Sequence, residues 1–311
     1  MVLSHPFHIE SEHAMTAIPG LKKRTLGRTG LEVSSIALGG ASLGYVHRAA
    51  NWDPYSEQGR DTAIATLNHG LDLGINYIDT APLYGNGQSE SLIGEVVAKR
   101  REECVLATKV WFELDRQGVI ESVHDSMRRL QTDHLDIVQI HGRIYSAADH
   151  ERIIGKDGPL DGLRALRDAG KIGFIGITTE EPFSVIPFLA QPDIDVYQIA
   201  YNFIYQAAAR HFLPQAAEAN VGVVTMRTMT SGVLQQQASY LAPEWPTSHD
   251  LYELCLKFVL SDSRIHAGLI SMRWSEEVDR NVGLIANWTP PVDFATLPRL
   301  TFEIYNAEDA K

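Results

Sequence analysis

Residues 104–141 read CVLATKVWFELDRQGVIESVHDSMRRLQTDHLDIVQIH, and the fold can be read outward from them. The stretch opens on the apolar run Cys104-Val105-Leu106-Ala107-Thr108-Lys109 and closes on Leu135-Asp136-Ile137-Val138-Gln139-Ile140-His141. Between them Val119, Val123, Met127 and Leu130 recur at helical spacing. A short buried strand, a crossover helix and a second buried strand make one parallel βαβ unit. The pattern repeats in both directions. Upstream come Ser35-Ile36-Ala37-Leu38, a helix near 60–73 on Ala63, Ile64, Leu67 and Leu71, then Tyr77-Ile78-Asp79 and a helix near 89–100. Downstream, helices near 159–169, 182–190, 209–219, 249–261 and 275–286 alternate with four more strands. Those strands are 173–178, 196–200, 222–226 and 266–271.

About eight such units in a chain of 311 residues predict an α/β protein, a single (β/α)8 TIM barrel. An open doubly wound sheet is the competitor, but Gly39-Gly40-Ala41-Ser42-Leu43-Gly44 lacks the G-x-G-x-x-G spacing of a dinucleotide fingerprint. Residues 1–21 read as a flexible polar tail, and 22–311 as the barrel with a C-terminal extension carrying Trp288, Pro290 and Pro291. His5, His8, Glu10, Glu12 and His13 lie in that tail and are read as polar residues rather than metal ligands.

A net charge of −12 argues against a nucleic-acid surface, which needs a basic stripe. No long apolar run suggests a membrane span. The N-terminus lacks a basic segment followed by an apolar one, so the expected location is the cytoplasm. Cys104 and Cys255 give neither a disulfide framework nor zinc spacing. Oligomeric state is left open.

Three consecutive strands end on an ionisable residue: Asp79, Lys109 and His141. Tyr84 follows Asp79 in the same strand-to-helix loop. In a barrel these ends converge on one mouth. A phenol with an ordinary pKa near ~10 is a poor acid or base at neutral pH, and a neighbouring ammonium stabilises its phenolate. A carboxylate keeps that ammonium charged, and a neutral histidine donates to a developing alkoxide. The set polarises and protonates a carbonyl. None of these groups supplies electrons, so reduction requires a bound hydride donor. A Schiff-base role for Lys109 fits less well, because Asp79 would keep it protonated. Metal hydrolysis lacks a second strand-end histidine, and no metal site is expected. The long segments 42–58 and 142–158 follow the first and fourth strands, where barrels place their substrate walls.

Residues 74–90, GINYIDTAPLYGNGQSE, resemble the signature of the aldo-keto reductase superfamily around its Asp and Tyr. Residues 24–34, RTLGRTGLEVS, are similar to the usual entry into the first barrel strand, and Ala107-Thr108-Lys109 and Ile137–His141 match the Lys and His positions. The resemblance spans roughly residues 22–286. It implies Tyr84 as general acid/base, Lys109 and Asp79 as its tuning pair, and His141 as the carbonyl-orienting donor.

It also implies a nicotinamide held by Thr178, Thr179 and Gln198, with Thr178-Thr179 standing where relatives commonly have Ser-Asn. Met226, Arg227, Thr228, Gly232 and Leu234 follow the seventh strand as further cofactor candidates, with Arg227 directed at the pyrophosphate. Ser271, Arg273, Glu277 and Asn281 complete the set. Glu277 would repel a 2′-phosphate and Arg273 would bind one, so NADPH is expected in preference to NADH. Tyr45, Trp52, Trp111 and Arg143 are the candidate substrate walls, for an aldehyde, ketone or sugar. The expected function is an NAD(P)H-dependent carbonyl reductase or sugar dehydrogenase. Two other readings remain open: a nicotinamide-binding regulatory subunit with little turnover, and a barrel lyase or isomerase without dinucleotide.

Overall fold

The computed structural model describes residues 21–242, 244 and 250–297. The polar cluster from His5 to His13 lies outside them. Eight parallel strands close into a barrel: β1 (Ile36–Gly39), β2 (Tyr77–Asp79), β3 (Val105–Trp111), β4 (Leu135–His141), β5 (Ile172–Thr179), β6 (Ile194–Ala200), β7 (Gly222–Met226) and β8 (Ala267–Ile270). Closure is made by β8, which pairs Gly268 with Ile36 on one side and Ala267 with Val224 on the other. The connecting helices are α1 (Glu57–Asp72), α2 (Gln88–Arg100), α3 (Arg116–Leu130), α4 (Ala147–Ile154) and α5 (Pro159–Asp168), then α6 (Ala208–Glu218), α7 (Val233–Leu241), α8 (Leu251–Leu260) and α9 (Ser275–Ile285).

Alternation along each strand splits the core in two. Outward residues such as Leu106, Val138, Ile140 and Ile177 pack under the helices, against Val119, Val123 and Leu163. Inward residues Ala37, Tyr77, Val105, Ala107, Ile137, Val196 and Val224 fill the barrel itself. An antiparallel hairpin, Lys23–Thr25 with Glu32–Ser34, brings the fully buried Leu26 and Val33 to that inner cluster. The end bearing the strand N-termini is therefore plugged by apolar side chains, leaving the strand C-terminal ends for chemistry.

The expected helix near 182–190 is a 3-10 segment, Pro182–Ala190. Pro187 lies inside it and has no N–H to donate, so regular α-helical bonding cannot run through. The stretch 142–158 is not all loop. It contains α4, whose start carries a reciprocal cap between Ser146 and Asp149 that outweighs the segment's polarity. The tail is fastened as far as it is described: Lys22 Nζ donates to Thr289 Oγ1 at 2.7 Å, and Phe294 packs on Phe258 at 5.2 Å. Among the described residues no helix is long and apolar enough to cross a membrane, and no group of three His, Cys, Asp or Glu side chains is placed to hold a metal.

Candidate active site

Toward the strand C-terminal ends the inward positions change character. On β2 Tyr77 gives way to Asp79, on β3 Ala107 to Lys109, on β4 Ile137 to Gln139 and His141, and on β6 Val196 to Gln198. The parallel register sets Lys109 beside Gln139, Trp111 beside His141, His141 beside Thr178, and Thr178 beside Gln198. A polar layer thus rests on an apolar plug, which lowers the local dielectric and strengthens each charge interaction.

Lys109 is at the centre of that layer. Its ammonium donates to Asp79 Oδ2 at 2.5 Å and to the Thr80 carbonyl at 2.8 Å. The second oxygen of Asp79 accepts from Gln139 Nε2 at 2.8 Å. Burial pulls the Lys109 pKa down, but Asp79 and Tyr84 together outweigh it and hold it above its ordinary value. The ammonium therefore stays charged at neutral pH.

Tyr84 is carried by the loop after β2, half-buried, with Lys109 Nζ 5.1 Å from its ring centroid. Gly44 lets the loop after β1 press on the Tyr84 backbone, since a Cβ there would stand 2.3 Å from the Tyr84 carbonyl carbon. Burial raises the phenol's pKa; Lys109 opposes this, but the net direction is up. The phenol is thus held in its protonated, donating form. His141 meets Tyr84 edge-on, ring centroids 6.1 Å apart. Burial first, then Lys109 and Arg143, lower the imidazole to about 3. It is a neutral donor throughout the physiological range, and all four side chains converge on one mouth.

The cofactor candidates line one side of this mouth unequally. Gln198 is buried with Oε1 unpartnered; burial raises the Asp79 pKa, and Lys109 first, then Gln139 and Gln198, oppose that rise. Thr178 makes a long bond to the Gly142 carbonyl, 3.4 Å. The Thr179 hydroxyl turns instead into the following bend, donating to the Arg143 carbonyl at 2.8 Å and meeting Ser184 Oγ at 3.0 Å. Thr228 likewise turns to the wall, at 3.1 Å from Thr225 Oγ1. Beyond the partly exposed Met226, residues Arg227, Thr230, Ser231 and Gly232 all have positive φ, and the N–H groups of Thr230 and Gly232 are used within the turn, donating to the Arg227 and Met229 carbonyls. Leu234 is buried, and its N–H is bound by Thr230 Oγ1. Ser271 is exposed, and Asn281 is buried on α9. Glu277 accepts from the Arg273 backbone N–H at 2.6 Å, fastening the chain just before α9. The Arg273 guanidinium leans over Trp274 with Nε buried and unpartnered.

On the substrate side Trp111 packs on His141 at 5.9 Å and donates to Glu113 at 3.0 Å. Tyr45, 6.3 Å from the Tyr84 ring, donates to the Leu83 carbonyl. The Arg143 side chain is 81% exposed at the rim. Trp52 is buried rather than open to the mouth. It is 3% exposed, donates to the Ser42 carbonyl and packs edge-on against Trp274, tying its loop to the loop after β8.

A profile described as the aldo/keto reductase family matches residues 35–300. The chain belongs to that family. Among its relatives, pyridoxal 4-dehydrogenase of Microbacterium luteolum is 28% identical over 89% of this chain and 96% of its own. L-galactose dehydrogenase of Arabidopsis thaliana is 28% identical over 85% and 88%. The holo form of aldo-keto reductase AKR11C1 from Bacillus halodurans superposes with a TM-score of 0.72 at 27% identity, covering 87% of this chain and 92% of the other. The protein is an oxidoreductase of the aldo/keto reductase type.

Two residues of this reductase's mouth were missed in the sequence. Gln139 is polar in a buried strand two positions before His141, hence on the same inward face; that periodicity was the available signal. Glu180 accepts from Arg227 at 2.6 Å and lies 3.9 Å from Arg143, joining the loops after β4, β5 and β7. Nothing in the local sequence marked it.

Proposed function

We propose that this reductase interconverts aldehydes, ketones or sugars with their alcohols, using a nicotinamide dinucleotide and preferring NADPH. The buried Lys109–Asp79 pair beneath a protonated Tyr84, with His141 held neutral, carries the reading. The names of the two dehydrogenase relatives, for pyridoxal and for L-galactose, are of the same oxidoreductive kind.

The residues present fit a dinucleotide. Gln198 Oε1 is a buried acceptor without a partner, matched to a carboxamide N–H, with Thr178 beside it in register. The partly exposed Arg227 guanidinium suits a pyrophosphate, and the unpartnered Nε of Arg273 suits a 2′-phosphate. When bound, the nicotinamide supplies or accepts the hydride at the carbonyl carbon. The protein's own part is proton management. Tyr84 donates its proton to the carbonyl oxygen as negative charge develops there, Lys109 stabilises the resulting phenolate, and Asp79 keeps Lys109 charged. A neutral His141 gives an N–H to the same oxygen without competing as an acid. Trp111 and Tyr45 wall the site beside these groups and limit water.

Titration with NADPH and, separately, NADH, followed by tryptophan fluorescence, tests this reading. Tighter binding of NADPH, with the preference lost in Arg273→Ala, is expected. Equal affinity that Arg273→Ala leaves unchanged overturns the NADPH preference, and binding of neither overturns the reductase reading.

A further inference from the structure

We propose that Gln139 is a positioning residue for the reaction, clamping Asp79 so that one carboxylate oxygen is reserved for Lys109. Gln139 is fully buried on β4, directly beside Lys109 in register, and its Nε2 donates to Asp79 Oδ1 at 2.8 Å while Lys109 holds Oδ2. The two oxygens thus receive donors from different strands, which fixes the rotation of the carboxylate about its Cβ–Cγ bond. Gly176 makes the seat: a Cβ there would lie 2.8 Å from Gln139 Cγ, so the amide reaches Asp79 only because β5 carries no side chain at that position. The Gln139 Oε1 atom has no protein partner although it is buried. Leaving a buried acceptor unsatisfied is costly, and a role confined to packing would be filled better by an apolar side chain of the same shape.

The clamp acts through Asp79 on the acid. Without Gln139, Asp79 Oδ1 loses its donor, and the negative charge it shared with the amide falls more fully on Lys109. It then neutralises more of the Lys109 charge, and less remains to stabilise the Tyr84 phenolate. The groups facing this unit are Tyr77 and Asp79 on β2, Tyr84 and Tyr45 on loops, Lys109 on β3, His141 on β4 and Gln198 on β6. The effect on turnover rests on the reading of Tyr84 as proton donor; the effect on its pKa does not.

The test compares wild type, Gln139→Met and Gln139→Glu, each with and without Tyr84→Phe. The Tyr84 phenol is titrated by ultraviolet difference against the Tyr84→Phe partner, and carbonyl reduction is measured across pH. In Gln139→Met the phenol should titrate at higher pH. Turnover should fall about tenfold or more with KM and dinucleotide affinity within about twofold, the pattern of a lost transition-state interaction. In Gln139→Glu the introduced carboxyl lies against Asp79 and the two share one proton, so the donor survives at low pH. Turnover should then be partly rescued in acid and lost as pH rises. If Gln139→Met leaves both the phenol titration and turnover unchanged, the clamp is refuted, as it is if activity falls only in step with folded protein. Wild type without turnover but with a shifted phenol in Gln139→Met would retain the clamp and refute the proposed carbonyl reduction with Tyr84 as donor.

Discussion

Lys109 Nζ lies 2.5 Å from Asp79 Oδ2, and each side chain is only 1% exposed. Removing one member of such a pair leaves a buried charge without its counter-ion, which typically costs ~3–5 kcal/mol. Lys109→Met should therefore lower both stability and turnover. Tyr84→Phe removes only the proton donor, so it should cost turnover at least ~100-fold with dinucleotide affinity nearly unchanged. Urea unfolding and steady-state rates on the two variants separate the effects. Tyr84→Phe that retains turnover would mean the acid lies elsewhere.

His141 gives a pH signature of stability. Its folded pKa, about 3, lies below the unfolded value of ~6.5, so the unfolded chain binds more protons between those limits. Stability linked to His141 is fully present above ~6.5 and is lost as pH falls toward about 3. Replacing the imidazole removes this linkage. Wild type should lose roughly 2–3 kcal/mol more than His141→Asn on going from pH ~7.5 to ~4.5. Parallel pH dependence in the two proteins would contradict the neutral, buried state.

The Arg227 guanidinium is held by Glu180 at 2.6 Å, and both side chains are partly exposed. A dinucleotide pyrophosphate would compete with that carboxylate. Glu180→Gln should therefore tighten NADPH binding a few-fold, and Arg227→Ala should weaken it roughly tenfold, about one charge-assisted hydrogen bond. The gain from Glu180→Gln should vanish when Arg227→Ala is already present. Additive effects in that double-mutant cycle would show that the two residues act independently.

Trp52 and Trp111 should respond in opposite ways. Trp52 is buried between the loops after β1 and β8, so Trp52→Ala should cost about 3–5 kcal/mol of stability, the usual price of truncating a buried aromatic, with KM little changed. Trp111 sits beside His141, so Trp111→Ala should raise KM for carbonyl substrates with a smaller effect on melting. Thermal melts and substrate saturation curves on both variants decide the matter.

Periodicity along the chain was enough for the eight strand–helix units, because 2-residue and 3.6-residue repeats of apolar side chains are local properties. The three ionisable residues were legible for a related reason: a polar residue late in an apolar run departs from local expectation, and barrel topology brings such positions to one rim, although β3 continues past Lys109 to Trp111. Pro187 was visible too, although its consequence, a 3-10 segment in place of an α-helix, was not drawn from it. Other features depend on neighbours remote in the chain. Trp52 looked like a pocket wall until its loop folded back onto Trp274, and Thr179 looked like a carboxamide contact until its hydroxyl met Arg143 and Ser184. Gln139 acquires its meaning only beside Asp79 and opposite Gly176. Burial and hydrogen bonding there are properties of the assembled barrel, because side chains from different strands must share one small volume before any of them acquires a partner.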